Sequence, residues 1–427
     1  MGRPLSEVLA PGYEVFIERY DLLEDGRRAK RTRRNFEKEF GGVRQGSISM
    51  EERMREIARI LQISYDTIDD EDEMEKLYPE LYHHLEHVSA LDFTNKDWIN
   101  VFTLGMALQI GPLPKLEIVE IGTQVETEEE MESLADAIGM GNLPNLKFFN
   151  CSEIHFDDRD QVGIKALSRA MCAGFNCAAL EQLHLVENEI RDDGIVALSM
   201  AITSGHLPSL KHLNLLYNHI GVEGAKALAV ALESGHLPNL LELELSRNHI
   251  RDEGAEALAK AFASGKLRGL DTFGVWLNDI ETKGAIAIAR ALESGNLPAL
   301  RDIGILDFDE EGTNAIVRSF SSGHARTLEK VHFEHIDKQT AIFLARNVLE
   351  SGHLPDLEEL RLTSTSDVET VQAFILAYQN NRLLVADLQV DWDSAPEVQV
   401  LEDEFNRVRD RNLRLTRDFR FNPSLIP

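Results

Sequence analysis

Between residues 180 and 300, apolar side chains recur in a pattern that starts again about every 30 residues. Each cycle opens with apolar residues at offsets 0, 3 and 5: Leu180, Leu183 and Leu185, then Leu210, Leu213 and Leu215, then Leu240, Leu243 and Leu245. The spacing returns at Leu357, Leu360 and Leu362. It predicts a short strand that turns these side chains inward and the residues between them to the opposite face. A second pattern follows, as in GAKALAVALESG from Gly224 to Gly235. There Ala225, Leu228, Ala229 and Leu232 make an i, i+3, i+4, i+7 stripe, which predicts an amphipathic helix. Its small alanines let the helix lie close to the strand layer. Gly111, Gly141, Gly174, Gly205, Gly235, Gly265, Gly295, Gly323 and Gly352 punctuate the chain at intervals of 28–33 residues. Proline often follows, as in GHLPSL and GNLPAL, and glycine just past a helix with proline beyond is a stop signal. Each unit is therefore strand, turn, helix, turn. Self-similarity at this period signals a solenoid, in which a unit buries its apolar face against its neighbours.

At offset 8 stand Asn188, Asn218, Asn248 and Asn278, each placed to satisfy the backbone of the turn that leaves the strand and to stack unit on unit. Phe308, Ile336 and Thr365 replace them later, so the array is expected to grow irregular toward its C-terminus. The pattern implies three regions: a small helical N-terminal module at 1–84 that caps the open end of the solenoid or stands as a separate recruiting domain, an array of about ten to eleven units at 85–400, and a capping helix with tail at 401–427. In the first region Tyr13, Phe16, Ile17, Tyr20 and Leu23 share a helical face that Gly26 ends. Ser49 and Glu52 form a capping-box signal before Met54, Ile57 and Leu61. The first unit is degenerate, with Leu85, Val88 and Ala90 ahead of a helix expected over 97–109. The last begins near Leu383, and Phe405, Val408 and Leu415 mark the capping helix.

Charge narrows the partners. The chain of 427 residues carries 73 acidic and 44 basic residues, a formal net charge of -29. Such a field repels nucleic-acid backbones and anionic membranes and favours a basic protein partner. The exception is Arg27–Arg34, RRAKRTRR, which reads as a solvated linker or, less simply, as an import or nucleic-acid signal. Three cysteines, Cys151, Cys172 and Cys177, fit no disulfide framework and point to a reducing compartment. MGRPLSEVLAPGYEVF has no signal-type apolar core, and no run of about 18 apolar residues occurs. These readings predict a cytoplasmic protein, or a nuclear one through Arg27–Arg34.

The pattern L-x-x-L-x-L-x-x-N-x-I-x-x-x-G-A-x-A-L-A-x-A-L resembles the leucine-rich repeats of the ribonuclease-inhibitor type, over roughly residues 85–400 and most closely over Leu180–Leu300. The resemblance implies an α/β horseshoe solenoid with a parallel inner sheet and outer helices, and a role in binding other proteins. The family also includes Ran GTPase-activating proteins, so regulation of a small GTPase is an alternative, as is a structural subunit of a large assembly. Ribonuclease inhibitors are rich in cysteine, and this chain has three. Ran activators usually end in a long acidic tail, whereas this tail is mixed in charge. Innate-immune receptors place a nucleotide-binding domain before the repeats, and no G-x-x-x-x-G-K-[ST] occurs here.

Chemistry-bearing motifs are sparse. His83 and His87 share a helical face, but no cysteine or acidic set completes a metal site. His206, His236 and His353 recur with the SGHLP loop, and His219 and His249 with NHI. No G-x-S-x-G or H-E-x-x-H appears. No catalytic, cofactor or metal residue is assigned, and the chain reads as non-enzymatic. Function is then expected on the concave sheet face at offsets 2, 4, 6 and 7, with His184, Glu187, His212, Asn214, Tyr217, Glu242, Glu244, Arg247, Trp276, Lys330, His332 and Arg361 as the candidate partner-binding residues. Tyr217, Arg247 and Trp276 come from three successive units and are the residue types that dominate interface hot spots. Gly274 and Gly304 are expected to flatten the floor beside Trp276, leaving room for a partner's side chain.

Overall fold

The computed structural model describes residues 71–93, 100–121, 127–153, 161–172, 177–304, 308–364, 368–380 and 387–390, with parts of 53–61 and 401–410. The helix expected over residues 13–23, the Arg27–Arg34 run, the Ser49–Glu52 capping box, Thr365, Leu383 and Leu415 lie outside the described residues. The chain divides into two compact units, Met1–Arg59 and Ile60–Pro427, and the second holds the repeats.

In that second unit the elements with described bounds run from helix α1 (Glu71–Leu85) and then alternate strand with helix. The order is β1 (Ala90–Asp92), α2 (Val101–Gln109), β2 (Ile118–Ile121), α3 (Glu128–Gly139), β3 (Phe148–Cys151), α4 (Val162–Cys172), β4 (Gln182–His184) and α5 (Asp192–Thr203). It continues through β5 (His212–Asn214), α6 (Val222–Glu233), β6 (Glu242–Glu244), α7 (Arg251–Ala263), β7 (Thr272–Gly274) and α8 (Thr282–Glu293). Then come β8 (Asp302–Gly304), α9 (Glu310–Phe320), β9 (Lys330–Ile336), α10 (Lys338–Phe343), β10 (Glu359–Ser364), α11 (Val368–Asn380) and β11 (Asp387–Val390). The eleven described strands form one sheet in sequence order, and each pair is parallel. This is the solenoid that the periodicity predicts: each strand pairs with the next unit's strand and each helix packs on the next unit's helix.

The core follows the sequence pattern closely. Leu183 aligns with Leu213, Leu213 with Leu243, Leu243 with Phe273 and Phe273 with Ile303, and all five are buried. The stripe of Ala225, Leu228, Ala229 and Leu232 is buried beside them. Full burial of such a leucine is worth about 2 kcal/mol, and Phe262 of α7 meets Phe273 edge to face at 4.4 Å. Seven of the punctuating glycines, from Gly141 and Gly205 to Gly352, take positive φ just past their helices. Only a residue without Cβ enters that region cheaply.

Polar atoms stitch the units together. Asn218 Nδ2 donates to the carbonyls of Leu185 (2.8 Å) and Leu215 (3.1 Å), while its Oδ1 accepts from the amides of Asn188 (3.0 Å) and Ile190 (2.9 Å). Asn248 and Asn278 repeat the arrangement one and two units on. The starts of α5, α6 and α8 are capped across units. The residues before α5, α6 and α8 make no side-chain cap of their own. Instead, Gln161 Oε1 accepts from Arg191 N at 2.8 Å and Asp192 Oδ1 from Gly221 N at 2.6 Å. Asp252 Oδ1 accepts from Glu281 N at 2.8 Å and from Gly284 N at 2.9 Å.

The ends differ from the middle. Helix α1, within the segment expected to be a helical module or cap, falls in the repeat-bearing unit and packs on α2. Its Tyr82 hydroxyl donates to Pro112 O at 3.3 Å, over Gly111. The C-terminal units are less regular, as expected. Helix α10 runs into a π-helical turn at Leu344–Leu349, and the β9–β10 register shifts near Leu362 and Ser364. Beyond β11, Phe405 and Val408 are buried.

Candidate binding face and rim

The sheet face presents two rows of side chains between its buried leucines, and each row behaves differently. The outer row, at offset 2, is laced by pairs between neighbouring strands. His212 Nδ1 lies 2.8 Å from Glu242 Oε2, and Lys330 Nζ lies 4.0 Å from Asp302 Oδ2. The inner row, at offset 4, turns back on the protein. Asn214 Oδ1 accepts from Leu216 N at 3.0 Å, and Glu244 Oε1 accepts from Ser246 N at 2.8 Å. His184 packs edge-on against Phe148 at 5.0 Å. His332 and Arg361 converge on Glu359 Oε1, at 3.1 and 2.7 Å. Of the offset-4 candidates, His184, Asn214 and Glu244 are therefore buried, because short strands pressed at parallel-sheet spacing leave little room above their centres.

Two glycines make the middle of the face unusual. A Cβ at Gly274 would overlap the Glu244 carboxylate, and one at Gly304 would stand 3.3 Å from Trp276 Cδ1. The floor that the sequence marks as open is thus occupied by the protein itself, Glu244 over Gly274 and Trp276 beside Gly304. Trp276 is 2% exposed. Burial pushes the Glu244 carboxyl up to about 7, with Glu242 and Asp302 adding to the effect and the hydrogen bonds from Ser246 opposing it.

The exposed surface lies at the rim, where strands pass into the loops that lead to the helices. Glu187, Tyr217, Arg247 and Leu277 occupy offset 7 of four successive units, with φ between 53° and 56°. This left-handed geometry costs a side-chain-bearing residue about 1 kcal/mol. It is held by the sheet: the amides of Glu187, Tyr217 and Arg247 donate to the carbonyls of Leu216 (3.0 Å), Ser246 (3.0 Å) and Trp276 (2.8 Å). Tyr217 is 46% exposed. The Arg247 guanidinium reaches both aromatic rings, 5.6 Å from the Tyr217 centroid and 5.0 Å from that of Trp276. Beside them lies a hollow of about 670 Å³ whose walls include Glu187, Glu189, Tyr217, His219, Arg247, His249 and Asp279. His219 and His249 stack at 5.7 Å with an interplanar angle of 14°, and His249 Nδ1 lies 3.3 Å from Asp279 Oδ2.

The structure thus brings Glu187, Tyr217 and Arg247 together at one place and puts Trp276 beneath them as support. It leaves Lys330, His332 and Arg361 at the C-terminal strands β9 and β10. Glu189, His219, His249 and Asp279 were not among the sequence candidates; their signal is the recurrence of offset 9, which reads from sequence as plain repetition. Cys151 fills a core position, its Sγ 3.6 Å from Met131 Sδ, and burial raises its thiol well above the ordinary range; burial also pushes Cys177 up to about 12.

Residues 176–199, 206–229 and 236–259 match a family model described as a Leucine Rich repeat. With the parallel strand–helix ladder, this makes the array a leucine-rich-repeat solenoid. None of the curated proteins compared with the chain matches it. Among solved structures, an internalin of Listeria monocytogenes is 14% identical, with 81% of this chain and 94% of that one covered at a TM-score of 0.39. A Bacteroides fragilis protein is 17% identical over 68% of this chain and 70% of its own, at a TM-score of 0.34. A plant peptide hormone receptor, solved in complex with its hormone, is 13% identical over 66% of this chain and 61% of its own, at 0.21. Likenesses at these TM-scores assign nothing further. No described helix is long and apolar enough to cross a membrane.

Proposed function

We propose that the protein is a non-enzymatic binding module that holds another protein, basic in character, against the sheet face and its rim. The observation that carries this reading is the offset-7 row. Four successive units hold Glu187, Tyr217, Arg247 and Leu277 in a left-handed turn, and the row includes a half-exposed tyrosine beside a hollow. Side chains fixed by backbone and neighbours lose little entropy on binding, which favours affinity. The net charge of -29 favours a cationic partner and speeds its encounter. The mechanism is equilibrium association with no covalent step.

A quantitative pull-down from native lysate tests it. The baits are wild type, a Glu187→Arg/Tyr217→Arg variant on the face, which opposes a basic partner, and a Glu233→Arg/Glu256→Arg variant on the outer helices, each checked for folding by circular dichroism. A protein captured by wild type and by the helix variant but lost with the face variant is expected. Equal capture by all three removes the face from the account.

A further inference from the structure

We infer that the rim hollow receives an arginine side chain of the partner, stacked on the Tyr217 ring with its guanidinium turned toward the carboxylates of Glu187 and Glu189. The inference rests on the reading that a partner docks at this rim, and it names the chemistry that the rim recognises.

Tyr217 stands between two unlike neighbours. At the same turn position one unit later is Arg247, whose guanidinium already lies 5.6 Å from the Tyr217 centroid and continues to Trp276 at 5.0 Å. The ring therefore serves as a platform for one guanidinium within the protein itself. One unit earlier the same position holds Glu187, and adjacent parallel strands are only about 5 Å apart. A cation arriving on that side meets an aromatic face and a carboxylate together, in a ring exposed to 46%.

Charge selects the same ligand. The walls of the hollow carry three carboxylates, Glu187, Glu189 and Asp279, against the one guanidinium of Arg247. An anion is repelled there, while Val275, Leu277, Ile280 and Phe308 in the same walls suit the aliphatic stem of a long cationic side chain. Arginine suits the place better than lysine, because its planar guanidinium stacks on a ring while still donating sideways to carboxylates. A compact ammonium holds its water more tightly and has no plane to stack.

The test is fluorescence anisotropy with the full-length chain and a fluorescein-labelled GRGRGRG peptide, beside GKGKGKG and a counterpart carrying neutral citrulline. Arginine is expected to bind best, lysine more weakly and citrulline not at all. Tyr217→Ala should weaken the arginine peptide roughly fivefold, Glu187→Gln/Glu189→Gln should weaken it as well, and Tyr217→Phe should bind as wild type does. Equal binding of the arginine and lysine peptides, unmoved by Tyr217→Ala, overturns the inference and leaves simple attraction to an acidic chain. No binding of the arginine peptide overturns it too. The two readings fail separately: if the pull-down partner is lost with the face variant while the peptide does not bind, the arginine chemistry is wrong and the face stands. If the partner is retained, the face itself falls.

Discussion

Glu244 is a carboxylate almost sealed from water at the centre of the sheet, and Gly274 is the reason it fits. Its pKa rises from 4.5 to about 7, so the folded chain holds this proton more tightly than the unfolded chain does. The resulting stabilisation is complete below pH 4.5 and is lost as pH rises through about 7. Glu244→Gln keeps an acceptor for the Ser246 amide and removes the charge. Its thermal midpoint should match wild type near about pH 5 and exceed it near about pH 8.5, by a free energy on the order of 3 kcal/mol. A midpoint difference that stays flat across that range would contradict the assignment. Asn248 is the opposite case, a buried amide bonded on both sides, to Leu215 O at 3.0 Å, Leu245 O at 2.9 Å and Ile220 N at 3.0 Å. Asn248→Ala strands those backbone groups and should cost about 2–3 kcal/mol in urea unfolding. Asn248 shows what was legible at this scale, because a polar residue recurring at a fixed offset in an apolar context has one structural use. Trp276 shows what was not. It sits at offset 6 and Tyr217 at offset 7, and the left-handed turn that makes this step the difference between buried and exposed is adopted without glycine, so the residue types do not announce it.

At the scale of the element, strands are only three residues long through the middle of the array, and the starts of α5, α6 and α8 are capped by the unit before. Strand and helix stripes, their order and the glycine stops were readable because burial forces apolar residues into fixed spacings. Caps that cross from one unit to the next were not, since a residue 29 positions upstream carries no local capping signature. Asp252 caps α8 through Glu281 N and Gly284 N. Asp252→Ala should therefore lower stability by about 1–2 kcal/mol, and hydrogen exchange should report the loss at the start of α8 rather than in α7, which carries the substitution. Faster exchange confined to α7 would place the role of Asp252 within its own helix. The offset-4 side chains belong to this scale as well. Alternation correctly puts Asn214 and Glu244 opposite the leucines, but short strands let them fold back onto amides two residues on.

For the whole molecule, a solenoid couples each unit to its neighbours and leaves two long surfaces, the sheet with its rim and the helices outside. Partner binding is proposed for the first. Hydroxyl-radical footprinting of the complex captured from lysate, read by mass spectrometry, tests that assignment most directly, since both surfaces carry reactive side chains. Tyr217 at the rim is 46% exposed, while Met200 on α5 and Met140 just past α3 are 63% and 60% exposed. Partner binding is expected to protect Tyr217 and to leave Met200 and Met140 as reactive as in the unbound chain. Protection of the two methionines with Tyr217 unchanged would contradict it and move the partner to the helical surface.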